Sequence, residues 1–154
     1  MGMSNEVNLY RVIKAPAERI YNAFVTPEAL VKWNPPHGYL AKIHHMDCRV
    51  GGTYRMSFIN LGSGEEHAFG GTYRELEPGK KLVFDDQFEN PELPGQMVTT
   101  VTLTSVLNGT AVSVVQAGIP EAIPLEFCYA GWQESLQLLT LLVEAEIPSA
   151  GGED

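Results

Sequence analysis

The stretch Ile123-Pro-Leu-Glu-Phe-Cys-Tyr-Ala-Gly-Trp-Gln-Glu-Ser-Leu-Gln-Leu-Leu-Thr-Leu-Leu-Val-Glu-Ala-Glu-Ile147 reads as one amphipathic helix. Glu126, Gln133, Gln137, Thr140 and Glu144 fall on one stripe. Cys128, Trp132, Leu136, Leu139 and Val143 fall on the opposite one, at steps of three and four. Leu138, Leu141 and Leu142 widen the apolar stripe, as suits packing on a broad sheet. At about 1.5 Å per residue the helix would run roughly 35 Å. Gly131 leaves room for a strand backbone or a ligand to approach, with Trp132 filling the space beside it.

The residues before this helix alternate like strands, with no helix between them from about Leu40 to Gly118. Strands are predicted over Leu40–Arg49, Thr53–Asn60, Glu66–Glu75, Lys81–Phe88, Gln96–Val106 and Thr110–Ala117. Gly51-Gly52, Gly62-Ser63-Gly64 and Glu77-Pro78-Gly79-Lys80 read as turns, Glu89–Gly95 as a longer loop, and Asn108-Gly109 as a tight hairpin turn. Nearer the start, Val7–Val12 alternates as a first strand. Ala15-Pro16-Ala17-Glu18 then opens a helix, and Thr26-Pro27-Glu28 opens a second that ends at Trp33. Pro35 and Pro36 cannot continue it.

Successive hairpins make an antiparallel meander, so the fold class is α+β, with about seven strands. A long helix after such a sheet must lie across its concave face, and that geometry creates a cavity. One domain over residues 1–148 is expected, with a disordered polar tail over 149–154. A chain of 154 residues buries roughly 70% of its unfolded surface.

A net charge of −9, with only Lys80-Lys81 adjacent among the basic residues, argues against nucleic acid as a partner. No apolar stretch reaches the length of about 18 residues that a membrane span needs. Met1–Glu6 lacks the basic-then-apolar pattern of a secretory leader, so a cytoplasmic protein with reduced thiols is expected. Cys48 and Cys128 match no zinc or CxxC spacing. His44, His45, Asp47 and Cys48 are metal-like in composition. Adjacent histidines on a strand point to opposite faces, however, which leaves His45 and Asp47 as only two ligands; neither metal nor cofactor is expected.

The order of elements, with its motifs, resembles the helix-grip fold of START-like and birch-pollen-allergen-like (SRPBCC) domains. It is most similar to the family related to the activator of the 90-kDa heat-shock chaperone ATPase. The motifs are Ala15-Pro16-Ala17-Glu18-Arg19-Ile20-Tyr21, Val50-Gly51-Gly52-Thr53-Tyr54-Arg55, Gly71-Thr72-Tyr73, Thr99-Thr100-Val101-Thr102 and Gly131-Trp132 through Leu139. The resemblance implies a curved sheet gripping the last helix around a hydrophobic cavity. Relatives on this fold bind lipids and sterols, cyclise polyketides or stimulate a chaperone. No catalytic constellation carries over to numbered positions.

Strand parity supplies the candidate site. Tyr54, Met56, Phe58, Phe69, Tyr73, Leu82, Phe84, Phe88, Met97, Val101, Leu103, Val112 and Val114 should face inward. Phe127, Trp132, Ser135 and Leu139 should face them from the helix. The polar residues His67, Asp86, Thr99 and Gln116 share the inward parity. Asp86, between Phe84 and Phe88, and His67 are the candidate acid–base groups; Asp86 could instead sit at the open end of the cavity, or parity could break near Asp85. The leading expectation is a module binding a small hydrophobic molecule, as a monomer or homodimer. The alternatives are a cyclase- or hydrolase-like enzyme, a chaperone-contacting protein, and a filled core with no usable cavity.

Overall fold

The computed structural model describes residues 5–145. Its elements are β1 (Glu6–Ile13), α1 (Ala17–Val25), α2 (Pro27–Trp33), β2 (Tyr39–Met46), β3 (Thr53–Asn60), β4 (Glu66–Glu77), β5 (Lys81–Phe88), β6 (Met97–Val106), β7 (Gly109–Ala117) and α3 (Leu125–Glu144). The seven strands form one antiparallel sheet in the order β1-β7-β6-β5-β4-β3-β2. Six strands make the expected meander, and β1 closes the sheet beside β7. The result is the helix-grip fold. The terminal tail lies outside the described residues, as do Glu146 and Ile147 of the expected helix.

Proline sets the start of each helix. Pro16 and Pro124 sit at the N-cap positions and Pro27 at the first turn of α2, where a missing N–H costs nothing. The two short helices lock together through Trp33, which is 1% exposed. Its ring meets Phe24 edge-on at 4.7 Å, and its Nε1–H donates to the Ala23 carbonyl.

The hairpin between β6 and β7 differs from expectation by one residue. Val106 pairs with Gly109, so the turn residues are Leu107 and Asn108, and Asn108 takes the positive φ of 67°. Gly109 is a strand residue instead. A Cβ there would collide with the Ile13 carbonyl, so closing β1 against β7 is what demands glycine.

Two bulges bend the sheet. One falls between Ile43 and His45 on β2, the other between Tyr73 and Glu75 on β4. Beside the second, Gly71 lies where a Cβ would overlap the Asp85 carbonyl. Extra residues on one strand of a pair increase its curvature and turn β3, β4 and β5 into a concave wall. The main core is Ile13, Ile20, Trp33, Leu82, Val101, Val112, Val114, Leu136 and Leu139, all nearly sealed from solvent. Tyr54, Met56, Phe69 and Tyr73 form a separate cluster on the bent side.

Candidate functional site: a half-enclosed cavity under the last helix

Between that concave wall and α3 lies a space of about 200 Å³. Strand β3 contributes Tyr54, Met56 and Phe58 to its lining, and β4 contributes Phe69 and Tyr73. Leu82, Phe84, Asp86 and Phe88 line it from β5, Met97 and Thr99 from β6, and Gln116 from β7. From α3 come Cys128, Gly131, Trp132 and Ser135. The strand residues named here share the inward parity of period-two alternation, and from α3 Trp132 and Ser135 are joined by Cys128 and Gly131.

Two sequence candidates lie elsewhere. His67 has the right parity, pairing with Phe58, but sits one residue into β4 at the open end of the sheet. Its side chain is 47% exposed and faces Glu65 at 3.7 Å. Phe58, directly across from it, lines the cavity and His67 does not. Phe127 is 72% exposed. Its neighbour Cys128, turned about 100° round the helix, takes the place in the lining.

From the segment after α2, Asn34 and Pro36 join the lining, and the loop 89–95 does not. One expectation about the surroundings changes. No strand backbone approaches Gly131: a Cβ there would meet nothing within 4 Å, only open space. Sequence reasoning missed Phe24, Leu30 and Trp33, which close one side of the cavity from α1 and α2. Apolar spacing along the two short helices was legible, but nothing local says which part of the sheet they cover.

Hydrogen bonds within the wall use up most of its polar groups. The Trp132 indole N–H donates to Gln116 Oε1 at 3.0 Å, and the Gln116 amide donates to Thr99 Oγ1 at 3.3 Å. Ser135 donates to the Asn34 carbonyl at 2.6 Å, tying the end of α2 to α3. The Tyr54 hydroxyl donates to the Asp85 carbonyl at 3.2 Å.

Asp86 is the exception. It is 8% exposed, and its Oδ1 has no hydrogen-bond partner. Burial first, and the neighbouring Asp85 second, push its carboxyl up to about 7. Burial also raises the hydroxyls of Tyr54 and Tyr73 and the thiol of Cys128, with Asp86 adding to the rise at Tyr54 and Cys128. Asp85, of opposite parity, is buried in a different setting: the Thr72 N–H and the Arg74 guanidinium donate to its carboxylate, at 3.1 and 2.8 Å. Parity therefore holds through β5, and the irregularity sits on β4. Near neutral pH Asp86 is divided between its two protonation states, able to accept a proton or donate one.

Among the described residues no cluster of three or more His, Cys, Asp and Glu side chains is arranged to hold a metal ion. His44 bonds Ser57 at 2.8 Å and His45 bonds Thr53 at 3.0 Å. Among the described residues no helix is long and apolar enough to cross a membrane.

A family model described as Activator of Hsp90 ATPase homolog 1-like protein matches residues 14–144. The chain is similar to a protein of Chromobacterium violaceum with a crystal structure, at 51% identity over 92% of this chain and 99% of that one, with a TM-score of 0.91. Proteins from Rhizobium leguminosarum and Rhodobacter sphaeroides share the fold at TM-scores of 0.77 and 0.79, with 23% and 17% identity. The alignments cover 94% and 90% of this chain, and 97% and 91% of theirs. No curated protein matches the chain.

Proposed function

The chain belongs to the Activator of Hsp90 ATPase homolog 1-like family, and we propose that this member binds a small, largely apolar molecule between its sheet and its last helix. The observation that carries the reading is an interior space of about 200 Å³ lined mainly by aromatic and aliphatic side chains. Protein interiors pack as densely as organic crystals, with few voids larger than a water molecule. Binding pockets, by contrast, are concave and apolar, with a few placed polar groups.

Size narrows the ligand. An engineered cavity of about 150 Å³ holds benzene, so this one suits a single ring with a short substituent, about eight heavy atoms. A sterol or long-chain lipid would have to extend out of this half-enclosed space or open the wall. We assign the protein to the cytoplasm, where Cys48 and Cys128 stay thiols.

Native mass spectrometry of the freshly purified protein tests the proposal. The expected result is either a co-purified mass increment or saturable uptake of added benzyl alcohol, reduced in both cases by Gly131→Leu. That substitution places a side chain into open space. No increment and no saturable uptake would contradict it.

One observation favours a second reading, an enzyme using Asp86 as a general base: a buried carboxyl that titrates near neutrality is suited to proton transfer. It requires a substrate whose turnover Asp86→Asn abolishes while binding persists. Unchanged turnover would remove Asp86 from any mechanism.

A further inference from the structure

Among the described residues one fully buried side-chain oxygen has no hydrogen-bond partner, and its residue belongs to the cavity wall. Trp132, Gln116, Ser135 and Tyr54 satisfy one another or a backbone carbonyl. Asp86 Oδ1, in the same lining, is left alone. Among the described residues no Lys, Arg or His belongs to the lining, whose other ionisable groups are Tyr54 on β3, Tyr73 on β4 and Cys128 on α3. Asp85 lies next along β5, buried and turned to Arg74.

A buried carboxyl oxygen without a partner carries the full cost of its lost hydration. A ligand that donates a hydrogen bond there removes that cost. Where Asp86 is ionised, a ligand carboxylate would instead set a second negative charge beside it, in a low-dielectric space with no cation in the lining to receive it.

We infer that the cavity selects a ligand with an apolar body and a single hydrogen-bond donor, a hydroxyl or a protonated amine, seated on Asp86, and that it excludes carboxylates. This inference rests on the reading of the cavity as a ligand site. The rest of the wall is mainly apolar, so the donor fixes the ligand's orientation and its body fills the space toward Gly131 and Trp132.

Four probes of one size separate the possibilities: benzyl alcohol, benzylamine, benzoate and toluene, titrated against the wild-type protein at about pH 8, above the carboxyl's titration. Binding is read from Trp fluorescence and from calorimetry. At least one of the two donors should bind about tenfold tighter than toluene, with benzoate weakest. Whichever donor leads identifies a hydroxyl or an amine as the preferred group. In Asp86→Asn the leading donor should lose about tenfold while toluene is unchanged. Toluene binding as tightly as both donors would leave the cavity a ligand site and overturn the role of Asp86. Benzoate binding tightest would overturn it too. Binding of none of the four would remove the ligand site itself. The wild-type comparison stands even if the variant does not fold.

Discussion

The two sides of the sheet's inner face obey the same alternation and are packed to different ends. Toward β6 and β7, the inward residues Val101, Val112 and Val114 share a cluster with Leu136, Leu139 and Val143 of α3, and all are within a few per cent of complete burial. Toward β3, β4 and β5, most of the inward residues are rings. Phe58 meets Phe69 at 4.9 Å with planes inclined at 75°, and Tyr54 meets Tyr73 at 5.4 Å with planes inclined at 41°. Branched aliphatic chains interdigitate and leave nothing over. Rigid rings held edge to face make good pairs with one another but cannot also fill the curved space above them. Residue type, at unchanged periodicity, separates a sealed core from a cavity wall.

The comparison can be broken most forcefully from the filled side. Leu139→Ala should cost about 2–5 kcal/mol in a denaturant titration, because a wholly buried side chain leaves a void its neighbours cannot close. A cost below about 1 kcal/mol would mean that this side is no better packed than the other.

Next in size is the effect of pH on the cavity side. The Asp86 carboxyl, raised to about 7 in the folded protein, binds its proton more tightly there than in the unfolded chain. Folding is therefore aided below about pH 4, and that contribution is lost as pH rises to about 7. The loss is on the order of a few kcal/mol. Asp86→Asn should flatten this segment of a pH–stability curve relative to wild type. Parallel curves would show that Asp86 is solvated.

The smallest effect sharpens the comparison. Gly131→Ala should raise stability by up to about 1 kcal/mol, since alanine favours a helix and its methyl meets only open space. Destabilisation would mean that the wall closes on α3 at Gly131.

Much of this contrast was legible in the sequence. Alternation in Thr53–Asn60 and Lys81–Phe88 marks both strands to the residue and turns Tyr54, Met56, Phe84 and Asp86 inward. Spacing along α3 places Trp132 and Ser135 on the same space. What local pattern cannot carry is position in the third dimension. His67 and Phe127 have acceptable periodicity, yet both are exposed and neither lines the cavity. Phe24, Leu30 and Trp33 belong to it through a packing of α1 and α2 that no short window encodes. The hairpin at Asn108 slipped by a residue because Gly109 answers to the Ile13 backbone on a distant strand, not to the turn. The free Oδ1 of Asp86 became visible only when each neighbour's hydrogen bond could be followed to its partner.

The most direct test of the cavity is an NMR titration with benzyl alcohol on methyl-labelled protein. The methyl signals of Met56 and Met97, which line the space, should move and saturate, while those of Val101 and Val112 on the filled side stay in place. Shifts spread evenly over both sets, or none in either, would contradict a preformed ligand site between the sheet and the last helix.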